Sequence, residues 1–392
     1  MLNRYLESYL HEDLKEKMVF ISGPRQVGKT TLAGQIGEGF FRGKYAYVNW
    51  DNRLDRKAIL DGRVQADKEL VIFDEIHKYK HWKNYLKGEY DAHKREFRIL
   101  VTGSAQLDIY RKGGDSLLGR YHSYRLHPLS FAELSGKPAG ITPFKKLEAA
   151  SGGKSAKALL DALFIFGGFP ELFIKQSQKA LRRWHNEKAD RLIKEDIRDI
   201  ENVRDISALQ VLVELLPEKV GSLFSLNSLR EDLGVTHKTV ALWADILERF
   251  YYHFRIYPFQ SSLVKSLRKE PKLYLWDWSE VNDEDARFEN MVASHLLKFC
   301  HFLFDAEGYR AQLHYVRDHE QREVDFLVSV DNKPWFCVEV KSAFKNIPPS
   351  LRYFAAKLKI PFVYEVVKEN NVDFLKDGIR LISADKFLSA LV

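Results

Sequence analysis

The chain has 392 residues, 45% hydrophobic and 29% charged, with 61 basic against 54 acidic side chains and a net charge of +7. That length calls for two or three domains with their own cores, and the composition excludes a disordered or fibrous chain. The slight basic excess permits a nucleic-acid partner without demanding one.

Two cysteines, Cys300 and Cys337, exclude a disulfide framework or a cysteine-built zinc site and fit a reducing cytosol. The start, Met1-Leu2-Asn3-Arg4 followed by the charged stretch His11–Lys15, lacks a secretory pattern. The apolar stretch Ala158–Phe169 contains Asp161 and is too short to span a bilayer. A cytoplasmic protein with no membrane partner is expected.

The first strand predicted, over 17–22, runs into Gly23-Pro24-Arg25-Gln26-Val27-Gly28-Lys29-Thr30, and Thr31 opens a helix. Strand, G-x-x-x-x-G-K-[ST] loop and helix together specify a phosphate-binding loop. Its backbone N–H groups cradle phosphates, Lys29 reaches the β- and γ-phosphates, and Thr30 offers its hydroxyl to Mg²⁺. ATP and Mg²⁺ are the expected ligands. Further strands are expected at Tyr45–Asn49, 70–74, Phe97–Thr102 and Tyr124–Leu126, alternating with helix-length segments, which specifies an α/β parallel sheet.

The apolar strand 70–74 ends in two carboxylates. Asp74 is placed to hold Mg²⁺, and Glu75 to orient and deprotonate the attacking water; the alternative is that Asp-Glu simply begins a solvated loop. Thr102-Gly103-Ser104 reads either as a polar sensor of the γ-phosphate, with Ser104 in the nucleotide site, or as a Gly-Ser turn. In Ser116-Leu117-Leu118-Gly119-Arg120 the arginine is either a surface residue or a charge that neutralises the transferred phosphoryl group.

Residues 137–157 read as a linker, and a helical section runs from Ala158 to about Asp205. Leu226–Gly234 and Thr236–Leu247 then form helix, glycine turn and capped helix, with β-prone Phe250–Phe259 as a following hairpin or wing. This places His237, Lys238 and Thr239 in a DNA major groove, or makes the segment a lid or dimerisation surface.

From Pro271 the order is helix (Arg287–Phe299), strands Leu313–Arg317, Glu323–Val330 and Trp335–Lys341, helix (Leu351–Leu358) and strand (Pro361–Val366). Strand alternation sets Asp325 opposite in face to Val324 and Phe326, and Glu339 and Lys341 opposite to Val338 and Val340. Asp325, Glu339 and Lys341 can therefore cluster, with Glu289 joining from its helix. That set suits Mg²⁺- or Mn²⁺-assisted phosphodiester cleavage, the carboxylates holding the metal and Lys341 steering the water. The bland alternative is a solvent face that happens to carry Asp, Glu and Lys.

With these residues in hand, the chain resembles a prokaryotic family of AAA-plus-related P-loop ATPases with a C-terminal domain long of unknown function. The resemblance rests on Gly23–Thr30, Leu70–Ile76, Thr102–Ser104, Leu118–Arg120, Pro128–Phe131, Gly167–Pro170, Pro271–Tyr274, Glu323–Phe326 and Glu339–Lys341. It implies a PD-(D/E)XK nuclease-like C-terminal domain with Glu289, Asp325, Glu339 and Lys341 matching the catalytic pattern. It also implies Arg120 as a finger acting in cis or across a subunit boundary of a homo-oligomer. Val324 stands where the motif opens with proline. The domains expected are a P-loop ATPase core (1–136), a linker and helical lid (137–205), a winged helix (206–270) and the nuclease-like domain (271–392). Two functions are compatible with this organisation: an ATPase that binds and cuts DNA, or a nucleotide-dependent switch whose C-terminal modules only bind.

Overall fold

The structure, a computed structural model, describes residues 2–63, 68–103, 117–136, 141–149, 154–197, 205–260, 266–267 and 269–392. Its contacts divide the chain into two units, Met1–His127 and Pro128–Val392.

The first unit is an α/β layer structure built on five strands: β1 (Met18–Ser22), β2 (Tyr45–Asn49), β3 (Leu70–Asp74), β4 (Arg98–Thr102) and β5 (Tyr121–Arg125). They pair in the order β2-β3-β4-β1-β5, every neighbouring pair parallel. β1 and β3 are buried along their whole length, as expected of strands covered by helices on both faces. Because β4 is inserted between β1 and β3, one register row runs Asn49, Asp74, Thr102, Ile21. That row lies at the C-terminal edge of the sheet, where ligands of parallel α/β sheets bind.

The second unit carries an eight-stranded sheet, β12-β13-β11-β10-β9-β8-β6-β7. Its strands are β6 (His253–Pro258), β7 (Lys272–Leu275), β8 (Ala311–Arg317), β9 (Glu323–Val330), β10 (Lys333–Lys341), β11 (Phe362–Val367), β12 (Asp373–Lys376) and β13 (Ile379–Ser383). The buried helix Glu284–Asp305 packs Phe299 on Trp335 and Phe336 of β10. The helix Pro349–Lys357 contributes Leu351 and Phe354 to a core with Leu327, Cys337, Val363 and Leu381.

The short motifs outside the sheets are packing devices. Ser130 and Glu133 form a capping box on the helix Phe131–Ser135, satisfying two of its orphan donors. Lys298 Nζ donates to Ser130 Oγ at 2.8 Å and pairs with Glu133. Gly168 is required because a Cβ there would lie 2.6 Å from Leu129 O and 2.7 Å from the Trp278 ring.

The contact division falls at residue 127/128, and the segment 206–270 is not set apart from residues 271–392. Its β6 forms a hairpin with β7, His253↔Leu275 through Ile256↔Lys272, and runs parallel to β8 at Tyr257↔His314. Hydrogen bonding thus continues the hairpin, one of the two forms expected of Phe250–Phe259, into the C-terminal sheet. The expected linker falls partly at 137–140 and 150–153, outside the described residues. Among the described residues no helix is long and apolar enough to cross a membrane.

Candidate ATP site and a second carboxylate cluster

β1 delivers the loop Gly23–Gly28 to the start of the helix Lys29–Phe41. Gly23 adopts φ 145°, and a Cβ there would sit 2.4 Å from Leu126 O, so the loop needs glycine at this point. Lys29 is buried, and its Nζ donates to the carbonyls of Gly23 (2.9 Å) and Pro24 (2.7 Å). The ammonium is therefore already held inside the loop, where phosphates are expected to meet it. Gln26, φ 60°, and Gly28, φ 98°, shape the turn, while Arg25 is exposed, Val27 is buried in the core and Thr31 is exposed on the helix.

Asp74 is the hub of this edge. It accepts hydrogen bonds from Thr30 Oγ1 (3.1 Å), Thr102 Oγ1 (2.6 Å) and Tyr47 OH (2.5 Å). The register row explains the convergence, since β2, β3 and β4 end side by side. Thr102 thus ends β4 with its hydroxyl on the Asp74 carboxylate. Ser104 lies outside the described residues. Tyr47 was missed by sequence reasoning, because an exposed tyrosine on an edge strand carries no motif; burial and the Asp74 carboxylate hold its hydroxyl well above the ordinary tyrosine range.

Glu75 follows β3 directly at φ 55°, a left-handed conformation that costs a non-glycine residue about 1 kcal/mol. Its N–H donates to Thr102 O at 3.0 Å. Its carboxylate lies 3.4 Å from Lys78 Nζ and 3.5 Å from His77 Nε2. Burial pushes the Glu75 carboxyl above the usual carboxylate range, opposed by Lys78 and Lys29. Burial also drives the His77 imidazole down to about 3, leaving it neutral. A strained, half-buried carboxylate beside the phosphate loop suits a base that must take a proton.

Arg120 is elsewhere. It immediately precedes β5, and its carbonyl accepts from Met18 N at the start of β1. The phosphate loop leaves the other end of β1, roughly 13 Å away at 3.3 Å per residue. The guanidinium pairs with Asp91, Nε to Oδ1 at 2.8 Å and Nη2 to Oδ2 at 3.0 Å. Within one chain β5 places this arginine at the N-terminal edge of the sheet, away from the phosphate loop. Arg120→Ala should leave ATP turnover of dilute protein unchanged, as a steady-state phosphate-release assay would read. A large loss of turnover in dilute protein would restore the cis role.

In the second unit, Val338↔Phe326 and Cys337↔Leu327 bring Asp325 and Glu339 opposite one another, and Glu339 is in register with Glu365 of β11. Val340 N donates to Asp325 Oδ2 at 2.9 Å, and Lys341 Nζ lies 2.8 Å from Glu339 Oε1. Glu289 joins from its helix, its Oε1 accepting from Tyr274 OH at 2.7 Å. Burial and the Asp325 carboxylate raise both the Glu289 and the Glu339 carboxyls. Glu339 Oε2 and both Glu365 carboxylate oxygens are buried without a hydrogen-bond partner. The four predicted residues thus share one neighbourhood. They do not form a ready-made metal centre, however, since no group of three His, Cys, Asp or Glu among the described residues converges in that way.

A residue outside the predicted set explains part of this. Lys272 Nζ sits 2.6 Å from Glu323 Oε1, 3.5 Å from Glu289 Oε1 and 3.9 Å from Asp325 Oδ1. Sequence reasoning missed it because β7 lies far from β9 in the chain, and alternation within one strand says nothing of a third.

The predicted DNA-contact residues begin the helix His237–Arg249, reached from Leu226–Leu233 through Gly234 at φ 64°. His237 and Lys238 are exposed. Thr239 donates its N–H to Thr236 Oγ1 at 3.2 Å, and its hydroxyl is 2.8 Å from the same oxygen, so it belongs to the helix cap.

Comparison with known proteins agrees with the first unit. Residues 15–135 match the AAA domain family, while 157–282 and 284–387 each match a domain of unknown function. An uncharacterised protein of Mycobacterium tuberculosis is 23% identical over 381 residues, covering 95% of this chain and 81% of that protein. One from Methanocaldococcus jannaschii is 24% identical over 346 residues, covering 76% of this chain and 72% of its own length. Among solved structures, the Thermotoga maritima RuvB Holliday junction branch migration motor aligns over 64% of this chain and 87% of that chain at 19% identity. Its TM-score of 0.31 is too low to establish a shared architecture. With the loop, the Asp74 hub and the AAA match taken together, the first unit is an AAA-type P-loop ATPase domain that binds ATP.

Proposed function

We propose that the chain is a Mg²⁺-dependent ATP hydrolase whose second unit binds DNA and cuts a phosphodiester at Glu289, Asp325, Glu339 and Lys341. The observation that carries the first half is the hydrogen bond from Thr30 to Asp74 at 3.1 Å, with Lys29 buried in the loop beside them. A hydroxyl and a carboxylate in contact at a phosphate loop are the oxygen donors that Mg²⁺ takes, directly or through water. When bound, Mg²⁺ neutralises charge on the β- and γ-phosphates. Lys29 exchanges its carbonyl partners for phosphate oxygens, Thr102 fixes the Asp74 carboxylate, and Glu75 takes the proton of the attacking water.

For the second half, support comes from the row Asp325–Glu339 with Lys341 on the Glu339 carboxylate. The unpartnered Glu339 Oε2 is the acceptor a hard cation would use, and Lys341 would hold the water that attacks phosphorus. His237 and Lys238, exposed at a helix start, are the groups proposed to meet DNA phosphates. A second reading, a nucleotide-dependent switch that binds without cutting, is favoured by Lys272 within reach of the Glu289 and Asp325 carboxylates.

Incubation of purified protein with supercoiled and linear DNA, Mg²⁺ or Mn²⁺, with and without ATP, separates the two. The first reading expects nicking that Asp325→Ala, Glu339→Ala and Lys341→Ala each remove while ATP hydrolysis persists. No cleavage of either substrate, with or without ATP, leaves the switch. Cleavage that survives Glu339→Ala sinks the assignment of the site.

A further inference from the structure

We infer that Lys272 is the resident cation of the carboxylate cluster: its ammonium holds the Glu289 side and leaves the Glu339 side open to a divalent metal. The inference rests on the proposed reading of this cluster as a cation-dependent site. It adds a residue that reading did not contain.

Three carboxylates from two elements face one buried ammonium, at 2.6 Å (Glu323), 3.5 Å (Glu289) and 3.9 Å (Asp325). The backbone fixes its place. Lys272 is paired through β7 with Ile256 of β6, and its neighbour Leu273 bridges to Val220 and accepts from Gly221 N at 3.0 Å. Gly221 in turn lies against Glu289, 3.3 Å from Oε1 by the Cβ it lacks. Two side chains of the same strand therefore address one carboxylate, since Tyr274, two residues on, donates to Glu289 Oε1 at 2.7 Å. Glu323 is shared with Arg317, Nη1 to Oε2 at 2.9 Å.

A divalent ion placed between Glu289 and Asp325 would meet this ammonium at contact range, and the two positive charges would repel strongly at a site screened from water. The Glu339 side differs. Its Oε2 and both oxygens of the adjacent Glu365 are buried with no hydrogen-bond partner. Mg²⁺ commonly binds through one or two carboxylates and completes its shell with water or substrate phosphate. On this geometry the cluster takes one metal, and the tethered ammonium supplies positive charge where a second would bind.

The test is Mn²⁺ binding without nucleotide, read as free Mn²⁺ by electron paramagnetic resonance, on the full chain and on Lys272→Met and Lys272→Gln. Both variants should bind Mn²⁺ about tenfold more tightly than wild type or take up one further ion. Adding Glu289→Gln to Lys272→Met should remove that gain. Thermal unfolding should show each single variant less stable than wild type and recovered by Mn²⁺. Equal ion number with affinity within about threefold of wild type overturns the inference, as does a gain that survives Glu289→Gln. Wild type that binds no Mn²⁺ overturns the open Glu339 side of the inference, and with it the metal in the cleavage reading, even where Lys272→Met gains a Glu289-dependent ion. Wild type that cuts DNA, while Lys272→Met gains nothing, overturns the role of Lys272 and leaves the cleavage reading standing.

Discussion

Lys29→Ala should lower ATP turnover about 10²–10³-fold, the size of effect seen when a preorganised charge donor is removed from a developing negative charge. Lys29 Nζ is held by the Gly23 and Pro24 carbonyls inside the loop. Little reorganisation is then needed before it meets phosphate oxygens, so nearly all its charge acts on the transition state. Alanine leaves those two carbonyls facing the β- and γ-phosphates with nothing between. Nucleotide stabilisation of the fold should fall in parallel, seen as loss of the ATP–Mg²⁺ shift in thermal unfolding. A variant that hydrolyses ATP within threefold of wild type would remove the loop from the reaction.

Glu75→Gln should keep ATP affinity within a few-fold while lowering kcat about 10²–10⁴-fold, the range a general base contributes. The amide keeps the shape of the carboxylate, its neighbours Lys78 and His77, and the φ of 55° that aims it, but it cannot take a proton. The pH profile gives a second readout. Burial holds the Glu75 carboxyl above the ordinary carboxylate range. The base form is then lost as pH falls, and the acid limb of the kcat profile lies higher in pH than for a solvated glutamate. That limb should vanish in Glu75→Gln. Native turnover in this variant would falsify the base assignment.

Much of the first unit was legible in the residues themselves. The apolar runs 18–22, 45–49, 70–74 and 98–102 return as strands within a residue of their predicted ends. The fifth, expected at 124–126, begins earlier, at Tyr121, because Tyr-His-Ser-Tyr-Arg alternates weakly and its pairing with β1 sets its length. In the second unit β9 and β10 appear with Asp325 and Glu339 opposed, since period-2 alternation fixes faces once strands pair. The strands β12 and β13 were not predicted; β12 is exposed throughout and carries no apolar stripe.

What local pattern determines, then, is which segments are strands, which loop binds phosphate and which carboxylates end a strand, because each depends on residues a few positions apart. Strand order is different in kind. Inserting β4 between β1 and β3 sets Thr102 on Asp74, and Tyr47 reaches the same carboxylate from β2. The same sheet carries Arg120 to the edge opposite the phosphate loop. Pairing β6 with both β7 and β8 brings Lys272 to Glu289 and Asp325, residues 17 and 53 positions later in the chain. Contacts at such separations carry no local signature, because the free energy that selects them is burial and hydrogen bonding summed over whole sheets. The charge that neutralises the second cluster was therefore decided by tertiary structure alone.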